Sequence, residues 1–384
     1  MRMRMSLLAI MILVAPLPVV RAQQPAQKKP LDIYFLDTEG GQATLFVSPS
    51  GQSMLVDTGF PGNQGAPPAE ANAPGVTRDA DRIMAVLKLA NVGVLDYVVI
   101  THYHGDHAGN AAELAHRIPI RHFVDHGQYT VEMQAGRDAP MLSYMPIREH
   151  AHVTTAKPGD KIPVEGLDVQ VVSSAGETIK EPMAGAPGAG APNPLCRDAK
   201  LMEQDATPEN FESVGVVVRY GNFRLVDLGD LTWNQEHGLA CPNNLVGTMT
   251  VFHTTRHGDP HSGAPQFVHA IRARVAVMNN GERKGGSPEY WQPFTKRRAS
   301  RISGRSTARR RAARTTIHRN SFSRTSTKPT TATTSRCPCG PTAASRCSTS
   351  APVSRRNIRR AARLNKPFPS RKIAGLAFFP RPLL

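Results

Sequence analysis

THYHGDHAGN, residues 101–110, follows directly on an apolar run at 95–100 (LDYVVI). Four strong ligand types, His102, His104, Asp106 and His107, fall within six consecutive residues. The LDYVVI run reads as a buried strand and residues 110–117 as a helix, which places the cluster at a strand-to-helix junction. There the chain turns, so side chains that would alternate along a strand can converge on one point. Imidazoles suit a borderline ion such as zinc, and one carboxylate adds charge. Gly105 and Gly109 allow the tight backbone that such convergence needs. A histidine-rich surface loop is the competing reading, but it does not account for the strand that delivers the cluster.

Upstream, the runs at 31–37 (LDIYFLD), 43–47 (ATLFV) and 52–57 (QSMLVD) are short, β-rich and punctuated by Gly and Pro, the pattern of a meander. Residues 59–76 read as a loop. In 78–90, Ile83, Val86, Leu87 and Ala90 recur at helical spacing. Downstream, 120–124 is a strand, 161–174 a hairpin turning at Glu165-Gly166, and 178–195 a Gly/Pro/Ala loop. A second hairpin, 214–220 with 223–228, turns at Gly221-Asn222, and strands at 248–253 and 275–278 bracket a helix at 265–272. No repeat of solenoid period is present. Two similar halves, each running strands, helix, strand and candidate ligands, predict an α/β fold with two sheets face to face and helices outside, a four-layer αββα sandwich.

The run His102-x-His104-x-Asp106-His107 resembles the HxHxDH signature of the metallo-β-lactamase superfamily, and the resemblance extends over about residues 31–291. LVDTG at 55–59 is similar to the family's early Asp-containing element, which supports the metal loop. RLVDLGD at 224–230 resembles the strand ending in Gly-Asp, and His257-Gly258 the late His-Gly element. The resemblance implies that Asp230 and His257 join His102, His104, Asp106 and His107 as ligands of one or two zinc ions per chain. It also implies that Asp106 orients the attacking water as the catalytic carboxylate. More narrowly, the body resembles the branch with competence-type DNA-uptake hydrolase domains and teichoic-acid phosphocholine esterases, on the strength of Asn210-Phe-Glu-Ser213. That branch carries His-His-Gly where this chain has Arg256-His257-Gly258. The superfamily's middle histidine, in a Gly-His-Thr-like element, is missing, and His126, His150 and His152 are the candidates to replace it.

The expected activity is hydrolysis of an ester or phosphodiester, on a small molecule or a polymer, by a metal-activated water. The alternative is a non-catalytic or inactivated protein of the same fold, with a basic tail that binds nucleic acid. Of the 47 Lys and Arg residues, 23 lie from Lys296 onward, where no Asp or Glu occurs, leaving 24 bases against 30 acids in residues 1–295. The net charge of +17 therefore belongs to the tail, and nucleic acid enters only as a partner of that tail. No specific protein partner is implied. Residues 296–384 lack apolar periodicity and are expected to be disordered. Their Arg, Ser, Thr, Pro and Ala content also fits GC-rich codons read out of frame. Shifting the frame over residues 330–354 yields, with permitted codons, two alternating strands around a turn.

Residues 1–22 read as a signal peptide: Arg2 and Arg4, an apolar run at 7–14, and a cut after Val20-Arg21-Ala22. Residues 23–30 follow as a polar linker, and 31–295 as the hydrolase domain. No later run approaches the roughly 18 apolar residues of a membrane span, so a secreted or periplasmic location is expected. Export would allow Cys196 and Cys241 to pair, or they could remain two free thiols.

Overall fold

The computed structural model describes residues 29–62, 77–130, 144–203, 208–281 and 284–290, with the backbone of two short strands at 322–324 and 335–336. The expected signal peptide, most of the expected linker and of the first long loop, and the rest of the tail lie outside the described residues.

The first half contributes β1 (Asp32–Phe35), β2 (Thr44–Val47), β3 (Ser53–Val56), α1 (Arg78–Leu89), β4 (Tyr97–Val99), α2 (Gly105–Ala108), α3 (Ala111–Arg117), β5 (Phe123–Asp125), α4 (Tyr144–His150) and β6 (Val153–Thr155). The second contributes β7 (Lys161–Ile162), β8 (Asp168–Ser174), β9 (Glu177–Thr178), α5 (Pro208–Phe211), β10 (Gly215–Tyr220), β11 (Phe223–Asp227), α6 (Trp233–Ala240), β12 (Val251–His253), α7 (Pro265–Ile271) and β13 (Val275–Met278). From the tail, β14 (Phe322–Arg324) lies parallel to β13 and β15 (Ser335–Arg336) antiparallel to β1. The strand orders are β15-β1-β2-β3-β4-β5-β6 and β14-β13-β12-β11-β10-β8-β7, with β9 on β8.

Each sheet begins with antiparallel hairpins and continues with parallel strands: β3/β4, β4/β5 and β5/β6 in one, β11/β12 and β12/β13 in the other. The period-2 alternation sorts side chains between two faces. Ile33, Phe35, Val56 and Val99 of the first sheet meet Val171, Val216, Val218 and Leu225 of the second in one central core. The alternate residues Tyr34, Leu55 and Val98 face outward onto Ile83, Val86 and Leu87 of α1 and Leu114 of α3. Val217, Val226 and Phe252 face outward onto Leu239 of α6 and Phe267 and Ile271 of α7. The result is the expected four-layer αββα sandwich. Asp79 and Asp81 in the first turn of α1 and Lys88 in its last complement the helix dipole.

Of the described helices with no counterpart in the periodicity, α6 and α4 are the longest. WNQEHGLA in α6 carries no clear apolar stripe, because part of what it buries is polar: fully buried Glu236 accepts from Thr255 Oγ1 at 2.5 Å and from Ala264 N at 2.7 Å. In YMPIREH, α4 is anchored by Arg148 Nε and Tyr144 Oη, which donate to Asp125 at 2.6 and 2.9 Å. Cys196 and Cys241 form a disulfide that ties the 178–195 loop to the end of α6. No described helix is long and apolar enough to cross a membrane.

Candidate metal centre

The parallel strands β3 and β4 end side by side and deliver the site. Asp57, one residue beyond β3, is fully buried. It accepts from Thr101 N and Thr101 Oγ1, both at 2.8 Å, and faces His107 Nδ1 at 2.7 Å. That contact fixes the imidazole with its Nε2 turned away from Asp57 and into the cluster, as ligand-supporting carboxylates do. Next, the chain turns: His104 is extended and caps α2, so Asp106 and His107 fall in its first turn. Gly109 closes this turn against the backbone, since a Cβ there would lie 2.1 Å from Gly105 O.

The second half brings its ligands to the same point. Asp230 follows β11 and its Gly229 turn, while His257 follows β12. Both Arg256 and His257 are left-handed, with φ of 51° and 53°. This conformation costs a non-glycine residue about 1–2 kcal/mol, and Arg256 N→Gly229 O at 3.0 Å helps hold it. Donor atoms of Asp106, His107, Asp230 and His257, all buried, lie within 4.8 Å of one another. His102 Nε2 is 2.9 Å from His104 Nδ1, and the His102 ring centroid is 4.1 Å from that of His107. His104 lines the same cavity as Asp106, Asp230 and His257. All six expected residues therefore meet in one place, although they span much of the chain.

Asp230 Oδ1 shows what this arrangement is suited to. It is enclosed, lies 3.2 Å from both His107 Nε2 and His257 Nε2, and makes no hydrogen bond. Buried donor atoms gathered around a carboxylate oxygen that hydrogen-bonds to none of them form a set that could hold a cation. The electrostatics agree. Burial disfavours charge on His107, yet the carboxylates of Asp230, Asp106 and Asp57 hold it well above the usual imidazole range. Burial, then His107 and His104, press His102 well below that range. Asp106 resists burial and stays well below the ordinary carboxylate range through Lys284 and His107; Asp230 does so through His257 and His107.

None of the three candidate replacements for the middle histidine joins the cluster. His126 is buried but turned to Glu209, with Nε2 3.0 Å from Oε1, and it packs on Tyr103 rather than beside His102 and His104. Tyr103 alternates with its two histidine neighbours, which places its surroundings on the other side of the loop. His150, the last residue of α4, and His152, just before β6, are both exposed. Fully buried Glu209, which sequence reasoning passed over, also accepts from Tyr103 N at 2.8 Å and so braces the loop between His102 and His104. Its neighbour Asn210 lines the cavity.

A buried polar chain links the halves behind the ligands. Gln42 N donates to Asp106 O at 2.9 Å, Gln42 Nε2 to Asp227 Oδ1 at 2.8 Å, and Asn279 Nδ2 to Gln42 Oε1 at 3.3 Å. Asn279 O lies 3.2 Å from His257 Nδ1, and Asp227 Oδ2 2.8 Å from His253 Nδ1. Asp227 thus stands in the second half where Asp57 stands in the first, with His253 as its imidazole.

A family model described as the metallo-beta-lactamase superfamily matches residues 37–193. No curated protein matches. Among solved structures, a metallo hydrolase of the archaeon Ignicoccus hospitalis, Igni18, is 13% identical, with 70% of this chain and 92% of that one covered and a TM-score of 0.38. The metallo-beta-lactamase fold protein YhfI of Bacillus subtilis is 10% identical, with 78% and 97% covered and a TM-score of 0.42. CmlA, a diiron beta-hydroxylase from Streptomyces venezuelae, is 12% identical, with 67% and 46% covered and a TM-score of 0.38. The HxHxDH turn at the end of a parallel strand pair, set in an αββα frame, lies within the residues matched by the model of the metallo-β-lactamase superfamily, a family of generally metal-dependent hydrolases.

Proposed function

We propose that the chain is an exported zinc hydrolase that cleaves an ester or phosphodiester bond. The observation that carries this reading is the convergence of four buried donor atoms, from Asp106, His107, Asp230 and His257, within 4.8 Å of one another. Asp106, His107, Asp230 and His257 would hold one ion, and His102 and His104, beside them, a second. The absence of a thiolate among imidazoles and carboxylates favours zinc over softer alternatives. Bound zinc supplies Lewis acidity and brings the pKa of a coordinated water toward neutrality. Within the chain, Asp57 holds the His107 tautomer, Asn279 O orients His257, and Asp106 would accept a hydrogen bond from the attacking water. The Cys196–Cys241 disulfide supports export, since such bonds persist in oxidising compartments. Metal analysis of the purified chain, with hydrolysis of bis-p-nitrophenyl phosphate and p-nitrophenyl acetate, tests the reading. Metal-free, inactive protein with all six ligands intact after zinc reconstitution would refute it.

A further inference from the structure

The cavity over the cluster is lined by two cations that the ligand set does not use, Arg256 and Lys284. They come from separate segments of the chain. Arg256 immediately precedes His257, and its left-handed backbone keeps it at the rim. Lys284 is delivered by a loop pressed onto His257: Gly286 N donates to His257 O at 2.9 Å, and Gly281 N to Lys284 O at 2.9 Å. Between them Gly285, at φ +71°, leaves no room for a side chain, because a Cβ there would lie 2.0 Å from His257 O. This close approach sets the lysine beside the cluster, where its ammonium pairs with Asp106 and stands 5.4 Å over the Phe60 ring.

Neither cation is fully spent. Arg256 Nη1 is enclosed and has no hydrogen-bond partner, while its Nε reaches Asp259 only at 3.8 Å. Asp259 is itself engaged by His261 Nδ1 at 2.8 Å and His261 N at 3.0 Å. An enclosed guanidinium donor left unmade is costly, and an oxyanion would satisfy it. Lys284 carries three donors, lines the cavity and pairs there with Asp106. The two cations share the lining with Asp106, Asp230 and Asp259, in a body where residues 1–295 carry 24 bases against 30 acids.

We propose that Arg256 and Lys284 form an oxyanion-recognising pair, and that the substrate carries a negatively charged oxygen at or next to the bond that is broken. The inference rests on the hydrolase reading above. The charge could be the phosphodiester's own oxygen or a carboxylate beside a neutral ester, and different substrates separate these. The test compares zinc-loaded full-length chain with Arg256→Met, Lys284→Met and the conservative Arg256→Lys. Substrates are bis-p-nitrophenyl phosphate, p-nitrophenyl hydrogen succinate and neutral p-nitrophenyl acetate, and dimethyl phosphate binding is followed by calorimetry.

Each Met variant is expected to lower the ratio of anionic to neutral kcat/KM by about 10- to 100-fold, mainly through KM, the loss of one charge-assisted hydrogen bond. Dimethyl phosphate should bind at least about tenfold more weakly, with part of the loss restored by Arg256→Lys. A fall confined to the phosphate substrate identifies the phosphodiester, and one confined to the succinate identifies the carboxylate. Equal losses on all three substrates, or unchanged dimethyl phosphate binding, would overturn the pair. Wild type that turns over nothing would sink the hydrolase reading, while the calorimetry still decides the pair.

Discussion

Replacing Asp57 tests whether the site depends on one buried carboxylate that touches no ion. Asp57→Ala strands two donors, Thr101 N and His107 Nδ1, which now lie 2.8 and 2.7 Å from its oxygens. Thr101 Oγ1, the third, can turn toward His102 Nδ1 at 3.1 Å and is not counted. Two enclosed unpaired donors at about 1–3 kcal/mol each give a loss of about 4 kcal/mol. For a domain of this size that is a fall of about 10 °C in Tm. Asp57→Asn separates fold from chemistry. With its Oδ1 still accepting from Thr101 N, its Nδ2 stands opposite His107 and can only donate, so Nδ1 must accept and the ring proton moves to Nε2, the atom that faces Asp106 and Asp230. The expected result is near-native melting with zinc affinity at least about tenfold weaker, the usual cost of losing a ligand's supporting group. Thermal melts by circular dichroism and zinc titration against a competing chelator measure both. An Asp57→Ala protein that melts within 2 °C of wild type, roughly 1 kcal/mol or less, and an Asp57→Asn protein with wild-type zinc affinity would refute the reasoning.

Asp79 gives a pH signature. Burial, only partly offset by Arg78, raises its pKa to about 6. Its folded pKa exceeds its unfolded one, so its contribution is greatest below pH 4 and is lost as pH rises toward and through 6. Asp79→Asn, which keeps an acceptor for Phe60 N, should therefore gain roughly 3 kcal/mol relative to wild type between pH 4 and 7 in urea unfolding; a constant difference across that range contradicts this. Replacing Cys196 and Cys241 together by Ser opens a loop with a separation of 45 residues, worth about 4 kcal/mol by chain entropy. An unchanged denaturation midpoint would show that the bond contributes nothing. Among ligand variants, His257→Ala and Asp230→Ala should lose the more tightly held ion on dialysis, whereas His102→Ala with His104→Ala should lose only the second. The reverse order by elemental analysis would mean the holders are misassigned.

Most of the frame was legible because both sheets obey simple alternation. In β10, GVVVRY sends Val216 and Val218 to the central core and Val217 to the outer one, and the strand at 275–278 and the helix beginning at Pro265 fall where the apolar pattern puts them. Polar burial defeats that pattern. The α6 helix and Glu209 are held by carboxylates satisfied far away in sequence, so local hydrophobicity carries no trace of them. The HxHxDH run announced itself by density of ligand types. Asp230 and His257 became visible only through family resemblance, since an isolated aspartate or histidine has many ordinary uses. Lys284 sits in a glycine-rich stretch whose meaning lies in its approach to His257, a contact no spacing rule reveals.

The Gln42 chain has a consequence for how this protein can change over time. It joins a backbone amide of the first half to a carboxylate and an asparagine of the second, inside the molecule. A half produced alone would expose one face of its sheet together with several severed polar contacts, so neither half is a heritable unit. On the rim, Lys284 meets the first half through its side chain, at Asp106 and over the Phe60 ring. New specificities in this lineage are thus open to arise by exchange of rim segments such as the one bearing Lys284, while the two-sheet body passes on whole.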